Sequence, residues 1–437
     1  MTNDNSENKW IGKRTPRPDG ADKVTGRAAY AADATMPGMI WGKVLRSPHP
    51  HAKIRGIDTS KAEKLPGVKA IVTSRDIVDF PIEKGAVMLG IQDMRWMCRN
   101  VMARERALFH GHPVAAVAAD TQAIAAEACK LIKVDYEVLP FVIDVDEARK
   151  DGAPTLFDHI KFDGKPSNIA GTLEHKLGDV EAGFREAEVV VERSFKTEAV
   201  HQGYIEPHAC LVSYADGKAT IWSSSQGQFM VRAMCSYLSG IPQSNIRAIP
   251  AEIGGGFGGK TIVYLEPVAL ALARKAGRPV KMVMSREEVM RASGPTSGSS
   301  STVKIGAKKD GTIVAAQGTW YLQAGALPGS PIRGAAGCAI SASLDAGFRR
   351  RRLCHHTRHS RCADQRERRG DVTGFADPHQ GPRGEQFTKR MAKGSEQCDY
   401  GPHQQADDNH ARPIEAVSEK ARERTQNGVN PEENRGQ

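Results

Sequence analysis

The segment from Glu252 to Thr261, Glu-Ile-Gly-Gly-Gly-Phe-Gly-Gly-Lys-Thr, is the feature that most restricts how this chain can fold. It places five glycines around a single aromatic residue, which leaves a loop almost without side chains. Because glycine at this density costs chain entropy and gives up packing, some other group must come close to the backbone. The amide N–H groups of such a loop can converge on anionic or strongly polar oxygens. The sequence therefore predicts a binding loop for a polar or anionic group.

The residues on either side of this loop predict a strand before it and a helix after it. Residues 245–253 have an extended pattern, and residues 262–275 are apolar and rich in Ala and Leu. A loop between these elements would lie at a helix N-terminus, where the helix dipole also favours negative charge.

Nucleotide binding is one interpretation of the loop, because residues 254–261 match the phosphate-binding pattern G-x-x-x-x-G-K-[ST]. Such a nucleotide hydrolase also needs an acidic residue that binds magnesium at the end of a second buried strand. The apolar run 280–284 ends at Ser285, and the run 313–316 leads to Gln317. Nucleotide binding through this loop is kept as the alternative function, and a tight glycine turn without a ligand is the structural alternative.

A resemblance to a known family supports a different function. The segment 252–260 resembles the glycine-rich signature of the molybdenum-binding (large) subunit of the xanthine dehydrogenase/aldehyde oxidase family. Several further segments resemble the same family in the same order along the chain, and the resemblance runs from Gly12 to Cys338. These segments are 22–30, 46–52, 111–118, 204–210 and 224–228.

The resemblance implies a cofactor and its contacts. The cofactor is a molybdenum-molybdopterin, expected as a dinucleotide. Gln226 would donate a hydrogen bond from its side-chain amide to the oxo group of the cofactor, and an ordinary turn glutamine is the alternative. The backbone amides of Gly255, Gly256, Phe257 and Gly258 would lie against the cofactor. No residue is assigned as a direct metal ligand.

Glu206 and His208 match the Glu-Pro-His motif of the family and are expected to hold the site through hydrogen bonds without reacting. A histidine with a purely structural role is an equal alternative at position 208. Lys260 is expected either as a distal charge or as a solvated loop lysine. Thr261 lies near a position where some purine-oxidising relatives carry Glu, which favours an aldehyde, an N-heterocycle or an aryl thioester as the substrate.

The fold class predicted from the sequence is mixed α/β. Residues 1–19 form an N-terminal extension, and residues 20–140 an α/β domain of the aldehyde oxidase/xanthine dehydrogenase hammerhead type. Residues 141–171 are a linker, and residues 172–337 are the first, incomplete part of a molybdopterin-binding α/β domain. Within the first domain, the continuous apolar run 113–119 predicts a buried strand, and caps at 120–121 predict a helix over 122–131.

Residues 338–437 do not resemble the family. Residues 341–437 contain only nine Ile, Leu, Val or Phe in 97 positions, too few to bury a core, so a disordered tail is expected. The tail includes a group of potential metal ligands whose order does not fit the paired spacing of structural zinc sites, and no metal is assigned to it. This group is Cys354, His355, His356, His359 and Cys362.

Family members run to nearly twice this length, and the resemblance implies that their later half supplies a general-base glutamate near the C-terminus. No Gly-Glu pair in a patterned context follows Gly337; the pair Gly384-Glu385 lies inside the tail. We therefore assign no catalytic residue and expect a truncated chain that is inactive alone.

Composition restricts location and partners. The net charge of +10 is spread along the 437 residues and not gathered in one arm, which argues against nucleic-acid binding. No apolar run reaches the roughly 18 residues of a membrane span, and the start of the chain is polar, so we expect a cytoplasmic protein. The eight cysteines lack paired spacing, which indicates reduced thiols. By resemblance, the partners are an iron-sulfur subunit and a flavin subunit, and the substrate is a small molecule.

Overall fold

The computed structural model describes residues 14, 16–89, 92–172 and 174–327, which lie in one unit. The predicted disordered tail, with its Cys and His group, and most of the N-terminal extension lie outside the described residues. The helices are α1 Gly20–Thr25, α2 Ser60–Glu63, α3 Met94–Val101, α4 Gln122–Leu131, α5 Val145–Ala148, α6 Val180–Glu186, α7 Gln228–Ser239, α8 Glu266–Ala276 and α9 Arg286–Ala292. The strands are β1 Ile40–Arg46, β2 Ala52–Asp58, β3 Val68–Thr73, β4 Met88–Leu89, β5 Gln92–Asp93, β6 Arg106–Ala107, β7 Pro113–Ala119, β8 Lys133–Val138, β9 Lys161–Phe162, β10 Lys165–Pro166, β11 Val189–Thr197, β12 Ala209–Ala215, β13 Lys218–Ser223, β14 Ile246–Pro250, β15 Val280–Val283, β16 Ser299–Ala307 and β17 Ile313–Leu322. The predicted mixed α/β class is confirmed.

A seven-stranded mixed sheet organises the fold, in the order β14-β13-β12-β15-β1-β7-β3. Strand β1 pairs in parallel with β15 and antiparallel with β7. The sheet thus joins strands from the predicted hammerhead-type domain to strands from the predicted molybdopterin-binding domain. The boundary that separates these segments in sequence does not separate two sheets, because main-chain hydrogen bonds cross it.

Each face of this sheet contributes to a hydrophobic core. Along β7, Ala116 and Ala118 face one core, which also contains side chains of α3, α7 and α8. Ala115 and Val117 face the opposite core, which contains side chains of α2 and α4. All of β7 is buried, as its continuous apolar run predicts.

Two smaller three-stranded sheets accompany the main one. The antiparallel sheet β11-β16-β17 packs against α6, and the sheet β6-β2-β8 is built from residues of the hammerhead-type segment. In the part of the chain that the structure describes, no helix is long and apolar enough to span a membrane.

The helix after the glycine-rich loop differs from the prediction. It was expected from residue 262, but α8 begins at Glu266, with Pro267 in its first turn. Proline is well tolerated there because its missing N–H would have no partner inside the helix. The glycine-rich loop therefore does not lie at the N-terminus of α8, and the dipole of that helix does not explain its binding properties.

Candidate functional site

The topology of the main sheet brings three short segments to one edge. Strands β13 and β14 are parallel, so the turn containing Gln226 and the glycine-rich loop, which follow them, leave the sheet at the same end. Strand β12 runs antiparallel to β13, so Glu206, which lies before β12, reaches the same end. Residues far apart in sequence meet here because of strand direction.

Gln226 is hydrogen-bonded to the glycine-rich loop. Its Oε1 accepts from the backbone N–H of Gly258 at 3.0 Å and of Lys260 at 3.2 Å, and its own N–H donates to the carbonyl of Lys260 at 2.9 Å. Since two donors fix the oxygen, the amide nitrogen is the other end of the group. Its N–H2 has no acceptor among the described residues, and the side chain is exposed.

Three consecutive backbone amides of the loop have no hydrogen-bond partner among the described residues. The N–H groups of Gly255, Gly256 and Phe257 donate to no acceptor in the described part of the chain. Gly255 has φ +99° and Phe257 has φ +48°, a conformation that is rare for a residue with a side chain. Successive amides in such backbone conformations form an anion-binding concavity. Of the four loop positions predicted to face a cofactor, Gly258 uses its N–H to bind Gln226.

Glu206 joins the two ends of the glycine-rich loop. One carboxylate oxygen, Oε2, accepts from the backbone N–H of Gly254 at 2.7 Å and from Lys260 Nζ at 2.7 Å. The side chain of Lys260 is fully buried, and burial lowers its pKa. The alternative of a solvated loop lysine is therefore wrong, because the ammonium points inward to Glu206; the alternative of a distal charge stays a prediction.

His208 supports the loop indirectly. It is buried, and its Nε2 lies 2.7 Å from the hydroxyl of Tyr204, which in turn donates to Ser293 Oγ at 2.9 Å. Burial, with a smaller effect of the Lys260 charge, lowers the pKa of His208 to about 3. A histidine that stays neutral suits a fixed hydrogen-bonding role.

Tyr204 and Lys23 are residues of the site that the sequence analysis missed. A Cβ atom on Gly259 would lie 2.7 Å from Tyr204 Cε1, so the tyrosine ring forms the floor of the loop. Lys23 Nζ donates to the carbonyl of Ile253 at 3.1 Å and pairs with Glu252 at 2.7 Å. Both residues lie within segments that resemble the family, Tyr204 in 204–210 and Lys23 in 22–30, which was the available signal, but nothing in the sequence placed either side chain at the loop.

The geometry argues against the nucleotide-binding alternative. In a phosphate-binding loop the lysine reaches the phosphates of the ligand. Here Lys260 Nζ is bound to Glu206 under the loop, and the following helix begins only at Glu266. The hydroxyl of Thr261, which would bind magnesium, donates to the carbonyl of Gly258 at 2.9 Å.

The donor set of the site suits a ligand made mostly of acceptors. Three free backbone amides and one free side-chain amide can bind oxo or phosphate oxygens without adding charge. Across the described residues, no group of three or more His, Cys, Asp or Glu side chains could hold a metal ion. The unpaired amide donors fit a group that presents acceptor oxygens, as a metal-pterin does.

Comparisons with known families show the class of protein to which this fold belongs. Residues 161–346 match the molybdopterin cofactor-binding domain. Residues 25–140 match the a/b hammerhead domain of aldehyde oxidase and xanthine dehydrogenase. The chain belongs to the xanthine dehydrogenase/aldehyde oxidase family of molybdenum hydroxylases and corresponds to their molybdenum-binding large subunit.

Relatives of known name lie in the same family. The chain is 35% identical over 303 residues to the carbon monoxide dehydrogenase large chain of Afipia carboxidovorans, a match that covers 66% of this chain and 36% of that protein. It is 32% identical over 318 residues to the nicotinate dehydrogenase large molybdopterin subunit of Eubacterium barkeri, covering 72% of this chain and 71% of that protein.

Solved structures show the same fold. The reconstituted CO dehydrogenase from Oligotropha carboxidovorans superposes with a TM-score of 0.61 at 32% identity, covering 71% of this chain and 39% of that one. Quinoline 2-oxidoreductase from Pseudomonas putida 86 gives a TM-score of 0.62 at 26% identity, again covering 71% of this chain and 39% of that one. The chain matches less than two fifths of the length of several of these relatives.

Proposed function

We propose that this chain binds a molybdenum-molybdopterin cofactor, as a dinucleotide, against the surface that Gln226 and the glycine-rich loop form together. The observation that supports the proposal is the cluster of unpaired donors: the free N–H2 of Gln226 beside the free amides of Gly255, Gly256 and Phe257. Gln226 would orient an oxo group, and the loop amides would hold neighbouring oxygens of the cofactor, with Glu206 and His208 fixing the loop from below.

The proposed activity is hydroxylation of an aldehyde, an N-heterocycle or an aryl thioester with oxygen from water. When bound, the cofactor would supply the two-electron oxidation chemistry, while the protein supplies orientation and electrostatics. Several relatives are named after N-heterocycles, namely nicotinate, nicotine and quinoline, which supports this substrate class. Thr261 contributes no carboxylate for purine recognition, although other relatives are named after xanthine and hypoxanthine.

The proposal includes partners. Relatives are named as subunits or large chains of larger enzymes. An iron-sulfur subunit and a flavin subunit are proposed to carry electrons away from this chain, which by itself is proposed to show no turnover. Turnover of a small aldehyde or N-heterocycle by the purified chain with an artificial electron acceptor would contradict the last point.

The test of cofactor binding is the replacement Gln226→Glu. A carboxylate keeps an acceptor oxygen for the amides of Gly258 and Lys260 but removes the N–H2 donor and adds a charge. We expect the purified full-length chain to contain molybdenum and releasable pterin near one per chain, and Gln226→Glu to lower both about tenfold or more. The melting temperatures of the two cofactor-free chains should be the same, since bound cofactor itself stabilises the fold. Gln243→Glu, which adds the same charge at an exposed position, is the control.

A folded wild-type chain without molybdenum or pterin would contradict the proposal. ATP hydrolysis that is abolished by Lys260→Ala would instead support the nucleotide-binding alternative.

A further inference from the structure

The buried ion pair between Lys260 and Glu206 also joins the two ends of the glycine-rich loop. Both ends of the glycine-rich loop meet at a single oxygen, Glu206 Oε2, which accepts from the Gly254 N–H and from Lys260 Nζ, each at 2.7 Å. The side chains of Lys260 and Glu206 are 0% and 9% exposed. One carboxylate thus closes the loop that presents the unpaired amides.

Among the described residues, neither Lys260 nor Glu206 has another oppositely charged partner. Glu206 Oε1 is buried and has no hydrogen-bond partner in the described part of the molecule. Nearby Arg286 donates to the backbone carbonyls of Tyr204 and Ile205 and does not bind this carboxylate. Lys260 is therefore the one cation paired with Glu206 among the described residues, and its Nζ lies 5.0 Å from the centroid of the Tyr204 ring.

The opposite charges of Lys260 and Glu206 set the net charge beside the loop amides. A buried carboxylate next to free amides would repel an anionic ligand if its charge were not balanced, and Coulomb interactions are strong where water is excluded. Removing one member of a buried pair leaves an uncompensated charge, which is far more disruptive than removing both.

We infer that Lys260 is a positioning residue. Its internal ion pair with Glu206 holds the two ends of the glycine-rich loop together and leaves no net charge beneath the loop amides, which can then bind an anionic cofactor. The inference rests on the proposed function for the ligand, but the closure itself does not require a cofactor. Lys260 acts through Glu206 and the backbone, and it does not touch the ligand.

Hydrogen exchange in the full-length chain tests the closure directly. The amides of Gly254, Gly258 and Lys260 are bonded to Glu206 or Gln226, so their exchange reports loop opening. We expect Lys260→Met to speed their exchange about tenfold or more, because Glu206 is left as a buried unpaired charge. The double variant Lys260→Met/Glu206→Gln should recover much of the protection, since no charge remains buried.

Lys281→Met is the matched control, because Lys281 is similarly buried but donates to the carbonyl of Ala34, which lies outside the loop. Unchanged loop exchange in Lys260→Met, or no rescue in the double variant, would overturn the inference. If Lys260→Met does not fold, Glu206→Gln alone still tests the pair, and its loop amides should exchange faster than those of the wild type.

Molybdenum content separates this inference from the proposed function. If the wild type contains molybdenum, Lys260→Met should lose most of it and the double variant should regain a part. If the wild type contains none, the proposed cofactor is wrong, whereas the exchange rates still decide whether Lys260 closes the loop.

Discussion

Gln226 uses the two ends of its side-chain amide in different ways. The oxygen binds two backbone amides of the loop, and the nitrogen has no acceptor among the residues that the structure describes. A hydrogen-bonded glutamine of this kind is pre-oriented, so binding a ligand would not require it to give up rotamer freedom. In the proposed function, the side chain would therefore link loop conformation to cofactor binding.

Gly256→Ala is predicted to displace the side chain of Gln226 while the rest of the fold stays intact. A Cβ at this position would lie 2.7 Å from Gln226 Oε1 and 2.8 Å from its Cδ, so the flexible glutamine must move away. We expect molybdenum content to fall about tenfold or more, as when an orienting group at a metal site is lost, and the unfolding stability of the cofactor-free chain to change little. Gly56→Ala, where a Cβ meets nothing within 4 Å, is the control. Full retention of molybdenum would contradict the proposed role of Gln226.

Two buried histidines predict sensitivity to acid. Burial lowers the pKa of His112 to about 4 and that of His208 to about 3. The unfolded chain, with histidine pKa near 6.5, binds protons first as the pH falls, so stability is lost from about pH 6.5 downward. We expect each histidine to cost about 2 kcal/mol between pH 7 and pH 5.

Urea unfolding at several pH values would measure this loss, and His112→Asn should flatten the pH dependence. His110→Asn, at an exposed position, should leave it unchanged. A slope that is unaffected by His112→Asn would show that other groups cause the acid sensitivity.

At the scale of elements, helix α9 links the main sheet to the floor of the site. Ser285 caps its N-terminus in a capping box with Glu288, which also binds Lys43 at 2.9 Å and Arg46 at 3.2 Å. After the helix ends, Ser293 accepts a hydrogen bond from Tyr204. The position of the tyrosine floor thus depends on where α9 begins and ends.

Ser285→Ala should lower the free energy of unfolding by about 1 kcal/mol, because the backbone N–H of Glu288 loses its acceptor. Urea denaturation measures the change. Ser244→Ala, at an exposed position in the short turn before β14, is the control and should have almost no effect. Equal stability of Ser285→Ala and wild type would mean that solvent replaces the cap.

Elements with strong local signals were predictable. The buried strand 113–119 and the helix 122–131 were confirmed at their predicted bounds, because an unbroken apolar run and a Thr121 cap define them locally. The start of α8 was not predicted correctly. Residues 262–265 are as apolar as the helix itself, but they pack as an irregular segment. Hydrophobicity alone did not distinguish the two.

At the scale of the whole molecule, one core contains residues from both predicted domains. The larger core includes Val44 of β1, Ala116 of β7, Val212 of β12 and Leu270 of α8, which come from both predicted domains. The parallel pairing of β1 with β15 connects these segments through the backbone. We therefore expect them to unfold together.

Gly42→Ala tests this cooperativity. A Cβ on Gly42 would lie 2.6 Å from Met282 Cγ across the pairing of β1 with β15, and overpacking of this kind costs about 1–3 kcal/mol. Hydrogen exchange should then rise to the same extent in β7 and in β12, because both belong to one unfolding unit. Faster exchange in only one of the two strands would show two separate units. Gly56→Ala again serves as the control.

The sequence by itself determined the family, the mixed α/β class and the segments that form the site, because glycine density and short motifs are local properties of the chain. Tertiary structure decided where Lys260 points, that Tyr204 lies under the loop, and that one sheet spans both predicted domains. These features depend on strand direction and on the pairing of residues far apart in the chain, such as Glu206 with Lys260. A charged side chain is buried where an oppositely charged partner lies within reach, and no local sequence pattern encodes the position of that partner.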